Sequence, residues 1–383
     1  MTANPVRVFF PCTGLGHELR GFEAFTRECA AAVRRDPRVD VTVFGGGGSL
    51  GPSERAVWSL PRSGRAAHVL GAALRRDPYF IEQASFFAGF VPALMAGTPD
   101  VVYFADLNLG NACWHWRRVT GQSFKLLYYN GGPTTRSFTR CDLVQQVTPG
   151  HLASAVARGE RENRQVLLPH GLAVERAYHP SSQAERIAAR AALGVPADTP
   201  VILSVGALNA SHKRMDYVIS EVAAMQSPAH LLLIGANTDE TAGIRARGAE
   251  LLAGRCTIVT LPRESVRAAY RAADLFVLAS LTEGFGIAQL EALDAGLPCV
   301  AHDTPTSAFV LGPHGTRADL RAAGALAVML DRTLAAGRPT DADAAARHEW
   351  VFSQFGWERL APMYCDLFVA CAAGQRPPWA PTV

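Results

Sequence analysis

Two glutamates eight positions apart, Glu283 and Glu291, bracket the stretch EGFGIAQLE. Gly284 and Gly286 flank Phe285, and Ile287 opens a helical pattern that stops at Gly296 with Pro298 just beyond. The glycines let the backbone approach a ligand, and the amides of Phe285, Gly286 and Ile287 at a helix start favour a negative group. Carboxylates beside an anion site would repel the anion unless they faced something else. Sugar hydroxyls fit, since one carboxylate can accept from two neighbouring hydroxyls. Glu291, four residues after Ile287, shares a helix face with an apolar residue expected to pack inward, so it needs partners such as ribose hydroxyls. Two plainer readings stand beside this one. Ser280 and Glu283 have capping-box spacing, although the glycines argue against a helix beginning at Ser280, and Glu291 could pair with an arginine from elsewhere.

Two further loops could meet a ligand. PCTGLGHELRG carries Gly14, Gly16 and Gly21, a tight turn or a backbone cradle for an anion. A nicotinamide fingerprint would need its third glycine closer and an acid ending the second strand, where this chain has VFGGGG. The other loop, LNASHKRMDYVI, gathers His212, Lys213 and Arg214 just before a helix, either as a charged helix start or as a phosphate site with lysine as a compact point charge.

The elements that must position these loops follow from short apolar runs alternating with amphipathic segments. VRVFF, VDVTVF, DVVYFA and FKLLYYN read as buried parallel strands, and Phe22, Phe25, Cys29 and Val33 fall at helical spacing between the first two. After residue 170 the alternation restarts with PVILSVGA, HLLLIGA, CTIVTL, DLFVLAS and PCVAHD. Two such sets imply two doubly wound α/β domains with ligands at the carboxyl ends of the strands. The expected division is residues 1–172, residues 173–350, and a final helix and tail over 351–383, the helix packing back on the first domain and the proline-rich tail poorly ordered.

Composition removes several function classes. The 383 residues are 49% apolar and 19% charged, ample for two cores, and a net charge of +3 with scattered basic residues argues against nucleic acid as a partner. Eight cysteines without a CxxC pair or zinc spacing read as small buried thiols of a reducing compartment. The start lacks a signal-peptide pattern, and no membrane span or basic amphipathic membrane helix is expected, which points to a cytoplasmic protein.

EGFGIAQLE, lying after YRAADLFVLASLT and before ALDAGLPCVAHD, resembles the E-x7-E motif of the retaining nucleotide-sugar glycosyltransferases of family four, with GLGHELRGFE, LLPHGLAVERAYHP and VGALNASHKRMD in support. The resemblance spans nearly the whole chain and implies the GT-B fold of two facing Rossmann-like domains. It implies that Glu283 holds the donor sugar, that Gly284, Phe285, Gly286 and Ile287 face the sugar and diphosphate, that Glu291 holds the ribose, and that Lys213 binds the diphosphate. Gly14 and Gly16 would meet the donor from the first domain. This chain departs from the family at Ala207, where an arginine is usual, so Arg214 or His212 would supply that charge. A family histidine near the acceptor has no clear counterpart; His17, Asp106, Tyr129 and Asn130 are the candidates.

By the same resemblance the sugar moves with retention from a nucleoside diphosphate donor, UDP by family frequency, to an acceptor hydroxyl that gives its proton to the leaving diphosphate. Domain closure would exclude water. No cofactor and no metal are implied, and the chain is read as lacking a D-x-D motif of the kind that holds a divalent cation. The acceptor is expected to be a small metabolite, and the Ala- and Arg-rich composition suggests a bacterial source. A nucleotide-sugar isomerase and a non-catalytic nucleotide-sugar-binding protein remain as alternatives; an NAD-linked oxidoreductase is disfavoured by the missing acid. Oligomeric state is not legible.

Overall fold

A computed structural model describes residues 4–18 and 21–380, except for the side chain of Glu264. Leu19 and Arg20 of the GLGHELRGFE stretch therefore lie outside the described residues. The chain forms two units, Met1–Ala173 with Phe355–Val383, and Val174–Gln354.

Unit 1 runs β1 (Val6–Cys12), α1 (Gly21–Val33), β2 (Val39–Gly45), β3 (Glu54–Ala56), α2 (Arg65–Leu74), α3 (Pro78–Gly97), β4 (Val101–Phe104), α4 (Leu107–Thr120), β5 (Lys125–Asn130), β6 (Leu143–Gln146), α5 (Pro149–Ala157) and β7 (Gln165–Leu167). Its seven strands are parallel in the order β3-β2-β1-β4-β5-β6-β7, so the order reverses between β1 and β4. Ligand loops belong at such a switch point. Strand β1 is buried from Val8 onward because it is central and covered on both faces.

Unit 2 follows with α6 (Gln183–Leu193), β8 (Val201–Val205), α7 (Met215–Ala223), β9 (His230–Ile234), α8 (Thr241–Leu252), β10 (Cys256–Val259), α9 (Arg263–Ala272), β11 (Leu275–Leu278), α10 (Ile287–Asp294), β12 (Cys299–His302), α11 (Pro305–Leu311), β13 (Gly315–Ala318), α12 (Ala325–Ala335) and α13 (Asp341–Phe355). Its six parallel strands are ordered β10-β9-β8-β11-β12-β13, with the switch between β8 and β11. Ile202, Leu231, Leu233, Leu275, Val277 and Val300 centre its core. The last helix, α14 (Trp357–Ala372), belongs to unit 1 and lies against α1.

Two sequence expectations need correction. The tail is packed as far as it is described: the Arg376 guanidinium donates to the Gln165 carbonyl at 3.2 Å, and Pro377 is buried. Helix α3, at 20 residues and mean hydropathy 1.3, is long and apolar enough to cross a membrane by length and composition. Its Ile81, Phe86, Phe90 and Leu94 nevertheless face inward, and its buried Glu82 is ion-paired to Arg62, the pattern of a core helix. Helix α2 is mostly exposed. Only Ala67 and Gly71 of its ten residues are buried.

All eight cysteines are unpaired, and all but Cys256 are buried. Burial pushes the Cys113 and Cys141 thiols up to about 12, so they behave as small core residues rather than nucleophiles.

Candidate functional site

In unit 2 the loops after β8 and β11 come together. Gly206 ends β8, and a Cβ there would lie 3.0 Å from the Lys213 Cδ and Cε, so the lysine stem crosses the glycine. Gly235, after β9, is needed in turn, since its Cβ would fall 1.6 Å from the Gly206 carbonyl oxygen. The Asn209 side chain accepts from the Lys213 amide at 2.8 Å, and Glu240 accepts from the amides of Ala210 at 2.9 Å and Ser211 at 3.0 Å. The loop is thereby rigid before any ligand arrives. The Lys213 ammonium pairs with Glu283, and His212 Nε2 lies 3.1 Å from the Thr282 carbonyl oxygen.

Helix α10 starts at Ile287, capped by Gly286 at φ 87°. That left-handed value suits glycine, and a side chain there would also meet Gln289 Oε1 at 2.9 Å. No side chain caps the helix, and among the described residues the N–H groups of Gly286, Ile287 and Ala288 have no hydrogen-bond acceptor. The capping-box reading of Ser280 and Glu283 does not hold: Ser280 Oγ is buried without a partner, as is Gln289 Oε1. Phe285 is buried and supports the loop, while Ile287 is half-buried rather than packed inward. The inward face of α10 is Gln289, Leu290, Ala292 and Leu293.

Glu291 has the partners that the plainer reading allowed. It accepts from the Tyr270 hydroxyl at 2.7 Å and pairs with Arg263 at 3.2 Å. Burial first, then the Glu291 charge, raises the Tyr270 pKa, so the phenol keeps its proton and donates it. Arg263 is half exposed.

Arg214 is a correction. It takes φ 53° at the start of α7, and its guanidinium donates to the Leu320 carbonyl at 2.8 Å and the Ala279 carbonyl at 3.2 Å while lying over the Tyr217 ring. These bonds aim it away from Lys213, which leaves His212 as the basic group beside the lysine. An Asp-x-Asp triplet does occur, Asp341-Ala342-Asp343, in the first turn of α13. There Asp343 accepts from the Thr340 amide at 3.1 Å and hydroxyl at 2.7 Å, so the pair serves as a helix cap. No group of three or more His, Cys, Asp or Glu that could hold a metal occurs among the described residues.

In unit 1 the loop after β1 is clasped by the loop after β2. Gly16, at φ 99°, accepts from the Ser49 amide at 3.0 Å, and its Cβ would sit 1.7 Å from the Gly47 carbonyl oxygen. Gly46 and Gly48 thus make room for this turn, since a Cβ on either would fall 2.3 Å from the Thr13 carbonyl oxygen or 2.1 Å from that of Gly16. Gly14 is buried, and its carbonyl accepts from the Glu18 amide at 2.8 Å.

This turn delivers His17 to Glu82, its Nε2 being 2.7 Å from Glu82 Oε1. Glu82 is fully buried and also accepts from Arg62, through the amide at 3.1 Å and Nε at 2.8 Å. A carboxylate can only accept here, so Nε2 carries a hydrogen. That Nδ1 is buried and has no partner. Arg62 lies 3.9 Å from the Tyr79 ring centroid, and the Tyr79 hydroxyl donates to Asp106, which also accepts from Thr13 at 2.7 Å. Thr13 and His17 follow β1 and Asp106 follows β4, so the switch point assembles this cluster. Arg62, Tyr79 and Glu82 went unread in the sequence. A lone Glu in an otherwise uncharged 20-residue apolar helix was the available signal.

Tyr129 and Asn130 do not join the cluster. Tyr129 is buried against Phe25, Phe22, Tyr103 and His170, with the Phe25 ring stacked at 4.7 Å. Asn130 donates to Gln146 at 2.7 Å, and Gln146 to Gln165 at 2.7 Å, in a buried ladder across β5, β6 and β7. Both residues serve the core because their side chains are consumed within the sheet and its cover.

Residues 199–335 match the family described as Glycosyl transferases group 1. A D-inositol 3-phosphate glycosyltransferase from Xylanimonas cellulosilytica is 31% identical over 208 residues, covering 52% of this chain and 48% of that protein. The same-named protein from Corynebacterium jeikeium is 30% identical over 234 residues, covering 55% and 54%. The matched stretch thus spans about half the length of these curated relatives. Among solved structures, a sucrose-phosphate synthase from Thermosynechococcus elongatus superposes with a TM-score of 0.75 at 21% identity, over 97% of this chain and 100% of that one. Anabaena HepE in complex with UDP-glucose gives 0.75 at 16% identity, over 95% and 99%.

Proposed function

Since residues 199–335 are a glycosyl transferases group 1 domain and the whole chain has the GT-B fold, we propose that the protein transfers a sugar from a nucleoside diphosphate sugar to an acceptor hydroxyl with retention of configuration. One observation carries the reading. Two strand-end loops of the family-matching unit set the Lys213 ammonium against Glu283, beside helix N–H groups that lack acceptors.

In this reading the leaving diphosphate takes Lys213 away from Glu283 and is held by the lysine and the amides of Gly286 and Ile287. The freed Glu283 accepts hydrogen bonds from the donor sugar, and Glu291 accepts from the ribose. The bond from the anomeric carbon to the phosphate oxygen breaks, and the acceptor oxygen bonds that carbon on the same face. The acceptor proton passes to an oxygen of the departing diphosphate. His17, fixed by Glu82, is the proposed acceptor-side residue of unit 1, with Asp106 and Gly14 shaping the same loop. The proposal needs no metal and no cofactor.

UDP is the proposed nucleotide, supported by the UDP-glucose in the Anabaena structure of the same fold. The acceptor carries a hydroxyl and is proposed to be a small molecule. Incubation with UDP-sugars and a panel of hydroxyl acceptors, with and without a chelator, tests the reading. Expected are UDP release, a glycoside with the donor's anomeric configuration, and no effect of chelation. A rearranged donor in the absence of acceptor would mean an isomerase, and binding without any turnover a non-catalytic protein.

A further inference from the structure

A cavity of about 590 Å³ opens in unit 1 between the loop that follows β5 and the turn that joins α5 to β7. The loop contributes Thr135, Ser137 and Thr139 to its lining, and the turn contributes Arg158, Arg161 and Arg164. Cys141 leads into β6 and Arg164 into β7, so the cavity sits at the amino ends of these parallel strands. Thr13, His17 and Asp106 follow β1 and β4, at the carboxyl ends of the same sheet. A ligand here is remote from His17.

Local sequence builds both walls. Gly159, at φ 84°, ends α5 and lets the Glu160 amide reach back to the Ala155 carbonyl at 3.1 Å. A 3₁₀ turn follows, Glu162–Arg164, and three residues per turn bring Arg161 and Arg164 to one side. The walls are tied to each other. Glu160 accepts from the Phe138 amide at 3.0 Å, and Arg164 Nη1 donates to the carbonyls of Cys141 at 3.3 Å and Thr139 at 3.4 Å. Phe138 is buried in the core of unit 1, its ring centroid 5.2 Å from that of Tyr128. These ties hold the walls in place without a ligand.

Charge and donors say what the cavity takes. None of the three arginines is ion-paired among the described residues, and the one acid in the lining, Glu160, is turned to the Phe138 amide. Glu162, on the same turn, is exposed and outside the lining. The Arg161 side chain has no hydrogen-bond partner among the described residues, and Arg158 spends one bond on Ser154 Oγ at 2.8 Å. Three guanidiniums against one carboxylate leave two positive charges, which a phosphate monoester of about −1.5 to −2 at neutral pH offsets. Guanidinium forks suit phosphate oxygens, and the Thr and Ser hydroxyls can donate to or accept from the rest of such a molecule. A nucleobase finds no platform, since Phe138, the aromatic residue of the lining, is committed to the core. A lipid does not fit either: among the described residues, no exposed large apolar side chain falls within 131–168.

We propose that this cavity binds a small soluble phosphate monoester that carries hydroxyl groups. The site lies wholly in unit 1, apart from the donor loops of unit 2, and does not depend on the transfer reading.

The test is calorimetric titration of the full chain with glycerol phosphate, beside glycerol and sulfate, with UDP in parallel. Saturable binding of glycerol phosphate is expected, with none of glycerol and weaker binding of sulfate. Arg158→Ala/Arg161→Ala, at two exposed positions, is expected to lose at least about tenfold in that affinity and to keep UDP affinity, while Lys213→Ala does the reverse. Amide exchange on the unaltered chain locates the ligand without a variant: glycerol phosphate should raise protection over residues 135–139 and 158–165. No saturable binding, or binding that Arg158→Ala/Arg161→Ala retains, would overturn the proposal. Glycerol phosphate binding lost in Lys213→Ala would assign the anion to the donor loops instead, and equal affinity for sulfate would overturn the monoester assignment. Glycerol phosphate bound without any UDP binding would uphold this site and count against the transfer reading alone.

Discussion

Replacing Glu82 by Gln isolates the device that holds His17. The carboxylate is wholly buried and accepts from His17 at 2.7 Å and from Arg62 at 2.8 and 3.1 Å. Glutamine keeps the shape and one acceptor oxygen but leaves the Arg62 guanidinium without its counter-ion. Breaking a buried pair costs about 3–5 kcal/mol, and the 19% exposure of Arg62 together with Glu18 at 3.8 Å discounts this to about 2–3 kcal/mol. Two folding units make a single unfolding free energy ill-defined, so the quantity to read is amide exchange in α3. Protection around residues 82–94 is expected to fall by about 30- to 150-fold, the equivalent of that energy at 1.36 kcal/mol per tenfold. Turnover is expected to fall at least about tenfold because the amide no longer enforces one imidazole tautomer, while UDP affinity, which belongs to unit 2, stays the same. Protection within twofold of wild type, with unchanged turnover, would refute the reasoning.

The other expectations are shorter. Gly16→Ala places a methyl 1.7 Å from the Gly47 carbonyl oxygen at φ 99°, so the loop must move; turnover should drop at least about tenfold with nucleotide affinity unchanged, by paired kinetics and calorimetry. Glu283→Ala releases Lys213, so UDP should bind as tightly as before or more so while sugar transfer falls at least about a hundredfold; a parallel loss of both would mean that Glu283 only maintains the loop. Burial depresses the pKa of His151 and of His230, so the unfolded chain binds more protons than the folded one near their ordinary value. Stability from this source is complete well above pH 6.5 and is lost as pH falls through it; a His151→Gln/His230→Gln variant should show a smaller drop in denaturation midpoint from pH 7.5 to pH 5.5.

The nine apolar runs read as strands form β1, β2, β4, β5, β8, β9, β10, β11 and β12; all but β10, a half-buried edge, lie inside their sheets, where a strand covered on both faces must be largely apolar. The four that went unread break that rule for physical reasons. Strands β3 and β13 are edges with exposed residues, and β6 and β7 carry Gln145, Gln146 and Gln165, buried polar groups satisfied sideways. The donor-side loop was legible because its glycines, its helix start and its carboxylates are close in sequence. The His17 cluster was not, since Glu82, Arg62, Tyr79 and Asp106 reach His17 and Thr13 only through the tertiary fold. Arg214 misled because sequence proximity to Lys213 says nothing of direction, and its left-handed backbone turns it toward Ala279 and Leu320. Tyr129 and Asn130, the last residues of the strand read in FKLLYYN and candidates for the acceptor side, are engaged instead by the aromatic cover and the sheet ladder.

The central claim is that the loops around Lys213, Glu283 and Glu291 hold a nucleoside diphosphate. Calorimetric titration of the intact chain with UDP and, separately, GDP tests it most directly, with Glu291→Ala in parallel. The account predicts saturable binding of UDP, weakened at least about tenfold in the variant as ribose loses its acceptor. Absence of binding for both nucleotides, or UDP binding that Glu291→Ala leaves untouched, would contradict it.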